Sequence, residues 1–99
     1  MATTNVKKIL TSVGTINPSA VAEVVAVSAD DTAGYVEIDF SPYLLSVDTF
    51  IADTRDSNGL QKLLKVTITN QTVKIADDGT TTTVAANDVY RVIAVGNPK

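Results

Sequence analysis

From Lys65 to Val84 the chain reads KVTITNQTVKIADDGTTTTV, with apolar and polar positions alternating. A two-residue turn at Asn70-Gln71 sets Val66 opposite Ile75 and Ile68 opposite Val73, with Thr67 and Lys74 paired on the other face. A second two-residue turn at Asp78-Gly79, where both residues tolerate positive φ, sets Val73 opposite Val84 and Ile75 opposite Thr82. The middle strand then turns the same apolar face to both neighbours. A one-residue slip would send every side chain to the wrong face, so this agreement predicts a three-stranded antiparallel unit.

Period-two alternation recurs elsewhere. In Tyr35 to Phe40, Val36, Ile38 and Phe40 alternate with Tyr35, Glu37 and Asp39, which predicts a half-buried strand stopped by Ser41-Pro42. Tyr43 to Val47 fits one helical turn or a loop carrying apolar side chains. Ser46 to Thr54 predicts a strand returning through Asn58-Gly59, with Ile51 opposite Val66 and Thr49 opposite Ile68. That register sets Asp53 against Leu64, a poor pair, so the top of the hairpin is expected to be an irregular loop. Leu60, Leu63 and Leu64 have the spacing of a single helical turn. Val89 to Val95 (VYRVIAV) is apolar on both faces apart from Arg91, the mark of a strand that is central or covered on both sides.

The amino-terminal third is less decided. Val6 to Val13 fits a first strand or an extended arm, and Gly14 to Ser19 (GTINPS) breaks it, because Pro18 holds Asn17 extended. In Ala20 to Ser28 (AVAEVVAVS), Asn17-Pro18 and the alanines allow a helix. Four valines in seven residues, followed by a turn at Asp30 to Gly34, favour a strand hairpinned to Tyr35 to Phe40. The sum is an all-β chain, a small antiparallel β-sandwich or barrel of about seven short strands with a flexible amino-terminal arm. Its expected divisions are an arm or first strand over 1–19, a sandwich over 20–96 and a tail over 97–99.

With 99 residues and 44% hydrophobic content, one domain can bury a sufficient core without staples. Cysteine, histidine and tryptophan are absent, which removes disulfides, thiolate chemistry and imidazole ligands or bases. A net charge of -3, with Lys7-Lys8 the only adjacent basic pair, argues against nucleic acid or anionic lipid as partner. No apolar stretch approaches the roughly 20 residues of a membrane helix, and the start MATTNVKKIL lacks the apolar core of a signal peptide.

Nine aspartates and two glutamates raise the question of a catalytic carboxylate pair. Asp30, Asp31, Asp56, Asp77, Asp78 and Asp88 all fall at expected turns, where Asp accepts hydrogen bonds from nearby backbone, and Glu37 and Asp39 share a solvated strand face. Asp77-Asp78-Gly79 matches no calcium loop at fixed offsets, the five glycines are isolated, and the serines have no histidine partner. No enzyme activity, cofactor or metal is therefore expected. The remaining class is binding. Tyr43, Leu44, Leu45, Phe50, Leu60 and Leu63 gather in or beside the irregular segment, and Phe50 and Leu63 point away from the buried face in the register above. They are either covered as core or, with Val6, Ile9 and Leu10 of the arm, form an apolar protein contact.

The polar start, the Thr/Val/Ala-rich strands and the segment NQTVKIADDGTTTTVAANDVYRVIAVG resemble the small all-β virion proteins of tailed bacteriophages, capsid cement or decoration proteins in particular. The resemblance covers Val66 to Gly96. It implies a non-enzymatic virion protein that stabilises the shell through the major capsid protein and neighbouring copies, often as a trimer. The alternative is a host-contact or glycan-binding β-module of a phage tail or adhesin.

Overall fold

A computed structural model describes residues 6–12 and 19–98, and the side chains of 19–97. The elements are β1 (Val6–Ser12), β2 (Ser19–Val25), α1 (Ser28–Ala33), β3 (Tyr35–Asp39), β4 (Leu44–Arg55), β5 (Lys65–Thr69), β6 (Thr72–Ala76) and β7 (Val89–Pro98). They form two antiparallel sheets, a larger one in the order β1-β2-β7-β4 and a smaller one in the order β3-β6-β5. The core lies between them. Ala20, Ala22 and Val24 of β2 and Tyr90, Val92 and Ala94 of β7 meet Val36 and Ile38 of β3 and Val73 and Ile75 of β6. Alternation along each strand sends these residues inward and their neighbours outward. The small alanines of the larger sheet leave room for Tyr90, Phe40 and Ile38, the bulkiest of the buried side chains with Leu44 and Ile75.

The expected β5–β6 hairpin forms in the register its alternation specifies, Val66 with Ile75, Thr67 with Lys74 and Ile68 with Val73. Asn70 takes φ 55 in its turn. Ala20 to Val25 lies within strand β2, and β7 is central in its sheet, between β2 and β4.

Several pairings differ from expectation. Thr80 to Thr83 does not pair with β6, whose second neighbour is β3 (Val36 with Ile75, Ile38 with Val73). The Asp78 carboxylate takes the backbone N–H groups of Thr80, Thr81 and Thr82, closing the segment on itself and removing donors a ladder would need. Val84 still reaches the core, its N–H held by the Asp77 carboxylate at 2.8 Å.

β2 does not hairpin onto β3. The two strands belong to different sheets, and α1 carries the chain across, replacing the expected turn at Asp30 to Gly34. The Asp30 carboxylate accepts the Val27 N–H at 2.9 Å, and Gly34, at φ 83, closes the helix. β4 pairs with β7 rather than β5, setting Ile51 opposite Ile93 and Thr49 opposite Val95. The reason is length: β7 offers β4 ten paired positions, where β5 has only five residues. Leu44 to Val47 is strand, and Leu60 to Leu64 is loop rather than helical turn.

The ends also join the sheet. β1 pairs with β2 from Val6 to Ser12, so this part of 1–19 belongs to the sandwich, while residues 1–5 and 13–18 lie outside the described residues. Asn97 and Pro98, expected in a tail, extend β7 opposite Ser46 and Leu44. Gly96 permits this close approach, since a Cβ there would overlap the Ser46 carbonyl oxygen.

Candidate interaction surfaces

A buried polar cluster links the loops at Lys62 and at Thr83 to Asp88. Asp88, 2% exposed, accepts hydrogen bonds at Oδ2 from Lys62 Nζ (2.7 Å), Tyr90 Oη (2.8 Å) and the Ala85 N–H (3.0 Å). Lys62 Nζ also donates to the Thr83 carbonyl at 2.6 Å. Burial first, then the hydrogen bond and charge of Asp88, push the Tyr90 phenol far above its usual range and keep it a neutral donor. Through its Oδ2, Asp88 thus holds Lys62, Tyr90 and the Ala85 backbone together and pins one loop to another. Asp56 and Asp78 are likewise spent on loop backbone, and the Thr80 N–H foremost holds the Asp78 carboxyl below its usual range. Among the described residues no group of three His, Cys, Asp or Glu side chains is placed to hold a metal ion, and no helix is long and apolar enough to cross a membrane.

The loop after β4 is built outward from this anchor. Asp56 Oδ1 accepts the N–H groups of Asn58 and Leu60, both at 2.9 Å, and Arg55 donates to the Gly59 carbonyl at 2.9 Å. The Lys62 N–H reaches the Thr54 carbonyl at 2.8 Å, while the Thr54 hydroxyl donates to the Lys62 carbonyl. Leu64 enters the core, but Leu60 and Leu63 stay 66% and 83% exposed. Two leucines are thus displayed on a loop tied down at Asn58, Gly59, Leu60 and Lys62, so less conformational entropy is lost if a partner covers them than on a free loop.

The other expected contact residues divide. Leu44 is 1% exposed and belongs to the core, and Tyr43 and Phe50 are half-buried against it. Phe50 sits opposite Ala94 on the inward face, because pairing with β7 reverses the direction expected from pairing with β5. Leu45 is exposed, at the start of β4. Val6, Ile9 and Leu10 lie in β1, whose side chains are outside the described residues.

A second apolar surface was not among the expected residues. Pairing places Val21, Ile93 and Ile51 in one row across the outward face of the larger sheet, with Val25 and Val89 on the same face. Ile51 is 69% exposed and Ile93 40%. The adjacent row is Glu23, Arg91 and Asp53; Arg91 Nε bonds Glu23 at 2.8 Å, and Arg55 bonds Asp53 at 3.0 Å. That hydrogen bond foremost, then the charge of Glu23, raises the Arg91 pKa. The signal for this face lay in the two-sided apolar pattern of VYRVIAV, whose outer half is left partly exposed among the described residues. The tyrosines do not share a surface: Tyr90 is buried, and Lys74 Nζ lies 4.3 Å from the centroid of the Tyr35 ring.

Comparison with protein-family models, with curated proteins and with solved structures finds no significant match.

Proposed function

We propose that this chain works by contact with other proteins, without catalysis, as a structural protein of a tailed-phage virion that decorates and stabilises the capsid shell. The observation that carries the reading is the display of Leu60 and Leu63 on a hydrogen-bonded loop, outside a core that is complete without them. Solvating such leucines is unfavourable, and covering them with a partner returns roughly 1.5–3 kcal/mol for each side chain fully buried. Many weak contacts of this kind, repeated over a shell, add by avidity. The resemblance of Val66 to Gly96 to cement and decoration proteins supplies the setting, the virion, and the partners, the major capsid protein and neighbouring copies. The acidic net charge of -3 favours protein partners over nucleic acid or anionic membrane.

The test is to add purified protein to shells that lack it and measure their disruption temperature. The proposal expects a rise that saturates with added protein and is absent for the Leu60→Asp/Leu63→Asp double variant. An unchanged disruption temperature at saturating protein would overturn it.

A further inference from the structure

Alternation turns Glu37 of β3, Thr72 and Lys74 of β6 and Thr69 of β5 away from the core, onto the outward face of the smaller sheet. The Asn70-Gln71 turn borders that face. Together these six residues line a cavity of about 370 Å³, within the size range of small-molecule sites. The turn is fixed in advance of any ligand: Asn70 holds φ 55, the Gln71 carbonyl accepts the Phe40 N–H at 2.9 Å, and Gln71 Nε2 donates to the Leu45 carbonyl at 2.7 Å.

The rest of the lining is held ready rather than spent. Glu37 is half-buried and stands opposite Lys74 in register, yet among the described residues its carboxylate has neither an ion pair nor a hydrogen bond. Lys74 Nζ lies instead 4.3 Å from the centroid of the Tyr35 ring. The Asn70 amide and the Thr69 and Thr72 hydroxyls are also without protein partners among the described residues. This contrasts with Asp56, Asp78 and Asp88, whose carboxylates are all engaged by the chain itself.

We infer that this cavity binds a saccharide, held by hydrogen bonds to its hydroxyl groups. Small-molecule sites are mostly apolar with a few polar groups, whereas all six residues here are polar, which suits a ligand whose surface is mostly hydroxyl. One carboxylate and one ammonium cancel, so neither an anion nor a cation is favoured. Donors and acceptors also stand side by side: Glu37 accepts, Lys74 donates, and the threonine hydroxyls and the Asn70 amide do both. Sugar hydroxyls on neighbouring carbons, each donor and acceptor, satisfy both kinds at once. A bound peptide sets side chains in apolar pockets, and this cavity has no apolar side chain in its lining to receive one. The Tyr35 ring lies outside the lining, so recognition here runs through hydrogen bonds and not ring stacking. Such bonds replace bonds to water, which sets the expected affinity in the millimolar range. The site goes beyond the contact role proposed above and shares no residue with the leucine loop.

The experiment titrates the isotope-labelled chain with the methyl glycosides of glucose, galactose, mannose and N-acetylglucosamine, read by amide chemical shifts. At least one sugar is expected to move the amides of Glu37 and of Thr69 to Lys74 saturably, leaving β2 and β7 unmoved. Sodium acetate and methylguanidinium chloride, an anion and a cation, are expected to move none of them. With circular dichroism confirming the fold, Glu37→Ala is expected to weaken that sugar about tenfold, the worth of a hydrogen bond to a charged group, and Thr72→Val several-fold. The Leu60→Asp/Leu63→Asp variant is expected to bind it as wild type does. No saturable shift with any of the sugars overturns the inference. So does an equal response to acetate or methylguanidinium, or an affinity that Glu37→Ala leaves unchanged.

Discussion

Replacing Lys62 with methionine tests the anchor that holds the leucine loop. The substitution keeps most of the side-chain volume but leaves Asp88, 2% exposed, with a buried charge and no counter-ion. Breaking a buried ion pair in this one-sided way typically costs about 3–5 kcal/mol. Two features reduce that here: the Lys62 side chain is 18% exposed, and Asp88 retains the Tyr90 hydroxyl and the Ala85 N–H. A loss of about 2–3 kcal/mol follows. For a domain near 100 residues each kcal/mol moves Tm by about 4–8 °C, so thermal unfolding should begin roughly 10–20 °C earlier. Adding Asp88→Asn removes the stranded charge, so the double variant should be no less stable than Lys62→Met alone, with a coupling of at least about 1 kcal/mol in the double-mutant cycle. Unfolding followed by circular dichroism and by calorimetry gives both numbers. A Tm for Lys62→Met within about 3 °C of wild type, or additive effects in the cycle, would refute the reasoning that this pair is a buried, cooperative anchor.

Other consequences are local. Because the Tyr90 phenol is raised in the folded state, the stability it contributes is intact below about pH 10, where unfolded tyrosine begins to ionise, and is lost as pH rises further. Wild type should lose stability above pH 10 more steeply than Tyr90→Phe in denaturant titrations run at several pH values. Asp78→Ala should release the amides of Thr80, Thr81 and Thr82, seen as faster hydrogen exchange there with unchanged protection in β2 and β7. Gly96→Ala forces β7 away from Ser46 and should cost about 1–3 kcal/mol or more, measured by chemical denaturation. Leu60→Asp and Leu63→Asp should leave stability within about 0.5 kcal/mol, since neither side chain packs in the core.

What the sequence made legible follows the range of the interactions. The β5–β6 hairpin is closed by two residues, so alternation and turn chemistry together specify Val66 with Ile75 and Ile68 with Val73. The inward faces of β3 and β6 follow from their period, as does the central place of VYRVIAV. The partners of that strand do not: Val21 finds Ile93 and Ile51 finds Ile93 across long chain separations, where many registers satisfy the same alternation. A tight turn such as Asn58-Gly59 therefore suggested a local hairpin that the longer β4–β7 ladder overrode. Asp78-Gly79 misled in another way, because the aspartate bonds the three backbone N–H groups after it and competes with strand pairing. The candidate contact residues read from sequence as either core or contact; Leu60 and Leu63 are exposed while Leu44 and Phe50 pack inward, a division set by which strand β4 pairs with. The outward row of Val21, Ile93 and Ile51 becomes visible only when three distant strands are laid side by side.

The claim on which the rest depends is that this molecule acts through apolar side chains held outside a finished core. Co-sedimentation of the labelled chain with purified shells, titrated to saturation, measures that directly. The account predicts saturable binding at a fixed ratio to the capsid lattice, lost in the Leu60→Asp/Leu63→Asp variant while its circular dichroism stays that of wild type. Shells that pellet without the chain, or that carry the double variant as well as wild type, would contradict it.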